Sequence, residues 1–212
     1  MVNPQLLRTL KEEIADLKYD NSSLKDQNSR LWNVIKSLSE LESSFQIFST
    51  SAELIEMVMD ILSIALKAVN SENGSILLLD EESDELVFIA VKGLRNKELT
   101  DYRIPAGSGI AGWVKENRKP ALVSDVRKDD RWISAVDQSI GFNTQSLMAV
   151  PLIFKGKILG VMEVVNTLSE VHFNDTDLSL LELVARLASF VLGYTDEALS
   201  DTQNQNYENN LN

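Results

Sequence analysis

The stretch Gly141-Phe-Asn-Thr-Gln-Ser-Leu-Met-Ala-Val-Pro-Leu-Ile-Phe-Lys-Gly-Lys-Ile-Leu-Gly-Val-Met-Glu-Val-Val-Asn166 decides the fold. It reads as two strands, Ser146 to Ile153 and Ile158 to Val165, joined at Phe154-Lys-Gly-Lys157. A strand with one wet face alternates apolar and polar residues, whereas these two are apolar on both alternating faces. They are therefore expected to be central strands of a sheet covered on both sides. Lys155-Gly156 is the turn signal, with glycine supplying the positive φ of a tight hairpin. Pro151 removes a ladder donor, which predicts a bulge or a gap in the neighbouring strand at that point.

Composition bounds the function. The chain has 212 residues, room for one domain of about 150 residues plus extensions. A net charge of −12 with no basic stripe argues against a nucleic-acid partner and against an anionic membrane surface. There is no cysteine, which excludes disulfides, thiolate metal sites and thiol catalysis, and His172 is the single histidine. No run approaches the ~20 apolar residues of a membrane span, and no apolar signal core opens the chain. The expected location is cytoplasmic.

Residues 3 to 45 carry a heptad. Leu10, Leu17, Leu24, Leu31, Leu38 and Phe45 recur every seven residues at position d, and Leu7, Ile14, Asn21, Asn28, Ile35 and Glu42 fill position a. Evenly spaced leucines with asparagine at a predict a two-stranded coiled coil with a fixed register. Glu13 at g faces Lys18 at e of a partner's next heptad, and Asp20 faces Lys25, which is the pairing of a parallel dimer. The alternative is a helix lying on its own domain. Against it, Lys11, Glu12, Asp16, Lys18, Asp20, Lys25 and Asp26 leave a seam too narrow for a broad core.

After a serine-rich break, Leu54, Ile55, Val58, Met59, Leu62, Ala65, Leu66 and Val69 recur at helical spacing, and Asn70 to Gly74 is read as the helix end. Ser75 to Leu79 and Leu86 to Val91 are the first two strands, and Ala121 to Val123 is a short third. Gly107 and Gly109 precede a short helix whose free N–H groups can meet an anion. No Gly-Lys-Ser/Thr closes this pattern, so it is not a phosphate-binding P-loop. Asp125 to Gly141 reads as polar and irregular, anchored by Trp132, Ile133 and Ile140. Asp175 or Thr176 is expected to cap the last helix, whose apolar face is Leu180, Leu181, Val184, Leu187, Ala188 and Val191. The polar segment 196–212 is expected to be disordered.

Several separate motifs then occur in one order. Gly141-Phe-x-Thr144, Val150-Pro-Leu152, Gly160-Val161 and Glu163-Val-Val-Asn166 resemble the signature of GAF domains, with the likeness extending over roughly Phe45 to Gly193. The resemblance implies an α+β fold: a central antiparallel sheet with helices on both faces, here preceded by the long parallel coiled-coil helix. It divides the chain into a dimerisation helix at 1–44, a sensory domain at 45–195 and the tail. It also implies a small-molecule pocket closed by the Asp125 to Gly141 segment.

Ser75, Ile110, Ala111, Asp137, Thr144 and Glu163 match residues of cyclic-nucleotide-binding members, and Phe142, Trp132 and Ile133 belong to the segments expected at the pocket. A buried Glu163 demands a donor. Two departures stand out. Thr167 replaces a lysine and Leu178 a glutamate of the family's motif, so its lysine–aspartate ion pair cannot form. Ile140 also replaces a threonine that contacts the nucleotide. No metal, haem or bilin is expected, and no catalytic residues. The expected function is a dimeric signalling module that senses a small molecule, a cyclic nucleotide being one candidate, and acts on a separate output protein. The rival is a dimerisation scaffold without a ligand.

Overall fold

The structure is a computed structural model that describes residues 4–43, 51–93, 96–168 and 172–209. The chain divides into two compact units, Met1–Ser44 and Phe45–Asn212.

The first unit is one helix, α1 (Pro4–Ser43), 40 residues long. At 1.5 Å rise per residue it spans about 60 Å. Leu10, Leu17, Leu24 and Leu31 are 40–63% exposed, and Asn21 and Asn28 share their exposure. Arg8 reaches Glu12 one turn on, at 3.0 Å. Leu38 lies in the helix, while Phe45, the last heptad residue, falls outside the described residues.

The second unit is built on a six-stranded sheet. Its strands are β1 (Ser71–Asp80), β2 (Glu85–Lys92), β3 (Arg103–Pro105), β4 (Ala121–Val123), β5 (Leu147–Phe154) and β6 (Lys157–Thr167), in the order β3-β2-β1-β6-β5-β4 and antiparallel throughout. The β5–β6 hairpin turns on Lys155 (φ 47°) and Gly156 (φ 81°), the two positive φ values of a two-residue turn. Pro151 sits beyond the reach of β4, which pairs with β5 only as far as Ala149. A register shift follows between Leu152 and Ile153.

One face of the sheet is closed by α2 (Ser51–Ala68) and α6 (Asp175–Asn209). Ile76, Met148, Val150, Leu152, Met162 and Val164 alternate onto this face and are fully buried with Val58, Ile61, Leu62, Leu181, Val184 and Ala188. The expected stripe of α2 is buried at Val58, Leu62, Ala65, Leu66 and Val69, with its edges shifted. Met57 and Ile61 turn inward, whereas Ile55 is 47% exposed. Against the expectation that no run approaches a membrane span, α6 holds a segment, Asp175–Thr195, long and apolar enough to cross one by length and composition; half of it is buried inside the domain, as in the core helix of a soluble fold.

Other expectations are corrected. The region read as a helix end, Asn70 to Gly74, is mostly β1; only Asn70, at φ 52°, terminates α2. Asn174, rather than Asp175 or Thr176, caps α6. Its side chain accepts from the N–H groups of Thr176 and Asp177, and the Asp177 carboxylate accepts from Asn174 N–H, a reciprocal capping box. α6 is helical to Asn209, through most of the segment expected to be disordered. After Gly193 that segment holds no glycine or proline, so nothing in it breaks the helix.

Candidate functional site

The opposite face of the sheet is covered by α3 (Asn96–Leu99), α4 (Gly109–Asn117), a 3₁₀ turn at Val126–Lys128 and α5 (Ala135–Ile140). The last two occupy the segment expected to be irregular. Apolar packing here runs through Leu77, Leu86, Phe88, Ile110, Val114, Val126, Leu147 and Val161.

Glycines set the approach of α4. Gly109 takes φ +67°, and a Cβ on Gly112 would come within 2.3 Å of the Gly107 carbonyl carbon. The first helical bond is Gly112 N–H to Ser108 O at 2.9 Å. The N–H groups of Ile110 and Ala111 precede it at the helix start.

The covering segment is held at both ends. Asp129 and Arg131 form a fork, with Nε–Oδ1 at 2.8 Å and Nη2–Oδ2 at 2.7 Å. The hydrogen bonds from Arg131 hold the Asp129 carboxyl below the usual carboxylate range. The same guanidinium lies 4.3 Å from the centre of the Trp113 ring on α4. At the other end, Asp137 accepts from Thr144 twice, from N–H at 2.7 Å and from Oγ1 at 2.9 Å. Asn166, at φ 55°, ties the next loop down by accepting from Gln145 N–H (2.7 Å) and donating to Asn143 O (2.9 Å).

Between this cover and the sheet lies a cavity of about 240 Å³. All nine residues singled out from the sequence line it: Ser75, Ile110, Ala111, Trp132, Ile133, Asp137, Phe142, Thr144 and Glu163. Their situations differ. Ile133 is 48% exposed, at the rim. Asp137 and Thr144 satisfy each other, which gives them a structural task. Ser75 and Glu163 are directly paired neighbours on β1 and β6. Glu163 is half-buried on the cavity wall, and desolvation there pushes its carboxyl up to about 7, with no hydrogen bond or charge opposing the shift.

Sequence reasoning missed the wall supplied by β2, α3 and β3, namely Phe88, Leu99, Tyr102 and Ile104. Phe88 and Tyr102 meet edge to face at 6.2 Å. The alternation of Leu86 and Phe88 was the available signal, whereas Tyr102 sat in a stretch read as loop. His172 is exposed, in keeping with a solvated position. Where the family's lysine would stand, Thr167 donates its hydroxyl to Asn70 O at 3.3 Å.

An antiparallel sheet with long helices on one face and a pocket under the cover of the other is an α+β architecture with a cavity of the kind small-molecule sites use. Residues 51–193 match the GAF domain family model, and the chain belongs to that family. Among similar proteins, the mouse cone cGMP-specific 3',5'-cyclic phosphodiesterase subunit alpha' is 34% identical over 87 residues, 41% of this chain and 10% of that protein. The Drosophila melanogaster dual 3',5'-cyclic-AMP and -GMP phosphodiesterase 11 is 26% identical over 165 residues, 68% of this chain and 11% of that protein. The chain thus spans about a tenth of the length of these relatives. Among solved structures, the GAF domain of a phosphoenolpyruvate-protein phosphotransferase from Coxiella burnetii superposes with a TM-score of 0.68 at 18% identity. That match covers 80% of this chain and 98% of the other.

Proposed function

We propose that this chain is a cytoplasmic regulatory module, a parallel coiled-coil homodimer whose GAF domain takes a small molecule in its cavity and signals occupancy to a separate output protein. The observation that carries this reading is the cavity between cover and sheet, with a carboxylate on its wall that has no hydrogen-bond or ion-pair partner among the described residues. A sheet under selection for stability alone would place an apolar side chain there. The exposed leucine seam of α1 supports the dimer.

A cyclic nucleotide is the first ligand to test, because the relatives act on cyclic GMP and cyclic AMP. A ligand in the cavity touches Trp132, Ile133 and Asp137 of the covering segment and Glu163 of the sheet, so its presence biases both. That bias passes through the helices to the coiled coil, and it requires a few kcal/mol of preference for one state. The rival scaffold reading draws on the mutual satisfaction of Asp137 and Thr144, which needs no ligand.

Native mass spectrometry of the purified protein, with and without cyclic GMP and cyclic AMP, tests dimer and ligand together. A dimer that gains one nucleotide mass per chain supports the cyclic-nucleotide sensor. A bare dimer that ignores both moves the weight to another small molecule or to the scaffold, and a monomer removes the coiled coil. The chain has no cysteine, so a single Leu17→Cys substitution reports the seam cleanly by disulfide cross-linking. Cross-links unchanged by a bound ligand would refute transmission through α1.

A further inference from the structure

The cavity's polar groups specify the chemistry of what enters it, an inference that rests on the ligand-cavity reading above. Glu163 and Ser75 face each other across β6 and β1, with Cβ atoms about 4.5–5.5 Å apart for such a pair. Ser75 is 6% exposed, and both residues line the cavity. Among the described residues neither side chain has a hydrogen-bond or ion-pair partner. Other titratable groups around the cavity are engaged or remote in effect. Asp137 on α5 accepts twice from Thr144. Arg103 on β3 is held by Asp80 at 2.8 Å and Glu85 at 3.0 Å. Lys92 on β2 and Tyr102 before β3 line the wall, yet neither contributes to the shift of Glu163, for which burial is the sole cause.

Lys92 and Arg103 also line the cavity, but neither acts on Glu163, and a carboxylate beside a hydroxyl with no cation at hand is a receptor for N–H donors. The volume, about 240 Å³, falls below the roughly 300–1,000 Å³ of pockets for drug-sized ligands. The rest of the wall offers apolar and aromatic surface, with Phe88, Leu99 and Trp132 among its members.

We propose that Glu163 and Ser75 form the recognition pair for a compact ligand with a cationic N–H head, an ammonium or amidinium, and an apolar body. Burial raises the carboxyl of the empty site to about 7, so below that pH it is mostly protonated and gives up its proton to solvent as the cation enters. The occupied site holds a carboxylate that accepts from the ligand's N–H groups, while the Ser75 oxygen accepts a further one. Charge balances at Glu163, because the ligand brings a positive charge to a carboxylate that no protein cation reaches.

Benzamidine and benzoate test this directly, since they share ring and shape but carry a cationic donor head and an anionic acceptor head. Calorimetry at pH 6 and pH 8, in two buffers of different ionisation enthalpy, should find benzamidine about tenfold tighter at pH 8, with close to one proton released on binding at pH 6 and almost none at pH 8. Benzoate should be at least ~100-fold weaker than benzamidine at pH 8. Glu163→Gln should abolish both the preference and the pH dependence while remaining folded, and Ser75→Ala should weaken benzamidine by about fivefold. Equal binding of the two probes, a pH-independent affinity, or no benzamidine binding overturns the proposal. If benzamidine fails while cyclic GMP binds in the native spectrum, the cationic-head inference falls and the sensor reading stands. If neither binds, the cationic head and the cyclic-nucleotide candidate fall together.

Discussion

The two faces of the sheet carry the same strands into opposite regimes. Toward α2 and α6, successive inward residues (Ile76, Met162, Val164, Met148, Val150) are fully buried and wholly apolar. One residue along the same strands, the inward positions become Ser75, Glu163, Leu147 and Val165, and space remains between them and the cover. The first face is packed like an organic solid. The second keeps a void and a carboxyl that burial forces toward neutrality. Tight apolar packing is concentrated on one side of a single layer, and unfilled space lined by polar groups on the other.

The largest effect expected from this contrast is on the closed face. Leu62→Ala, at a fully buried position, should lower unfolding free energy by about 2–5 kcal/mol, measured by urea denaturation. Next comes the tether of the cover. Asp137→Ala removes both acceptors of Thr144 and should cost about 2–3 kcal/mol, with the 126–140 segment exchanging its amides faster than the strands. If Asp137→Ala matched Leu62→Ala in cost and left that segment protected, the two faces would not differ as described.

Glu163 reverses the sign. Its carboxyl is raised from 4.5 to about 7, so the folded state holds the proton more tightly than the unfolded chain. That stability is fully present below pH 4.5 and is lost as pH rises through 7. Glu163→Gln should therefore match the parent near pH 4 and exceed it by about 1–3 kcal/mol at pH 8, as read from melting curves at the two pH values. A gain that does not grow between pH 4.5 and 7 would contradict the desolvated, unpaired carboxyl. The smallest effect is at the latch on α4. Arg131→Ala should cost about 0.5–1 kcal/mol from the lost stacking on Trp113, in the same denaturation assay.

The strands were legible because their signals are local. Two apolar runs around Lys155-Gly156 define β5 and β6, and Ala121-Leu-Val123 was found at its observed bounds. The pocket's polar residues were legible through ordered motifs. What escaped depends on tertiary context. Ile55 fits a helical period as well as Ile61 does, and only the position of the sheet decides which turns inward. α5 is six residues long, too short for periodicity to register. Tyr102 reaches the cavity because β3 pairs with β2, a pairing three residues long that leaves no pattern in the chain. Asn166 was read as a motif letter, and its task, holding the loop ahead of β5, needed coordinates.

The shortness of β3 and β4 has a consequence for colloidal behaviour. Both margins of the sheet end in strands of three residues. Pro105 lies in one and Pro120 immediately precedes the other. Such margins offer too few free donors and acceptors, and too little flat length, to template another chain's strand. Concentrated solutions of the folded protein should therefore resist fibril growth from sheet to sheet, and self-association is left to helical surfaces.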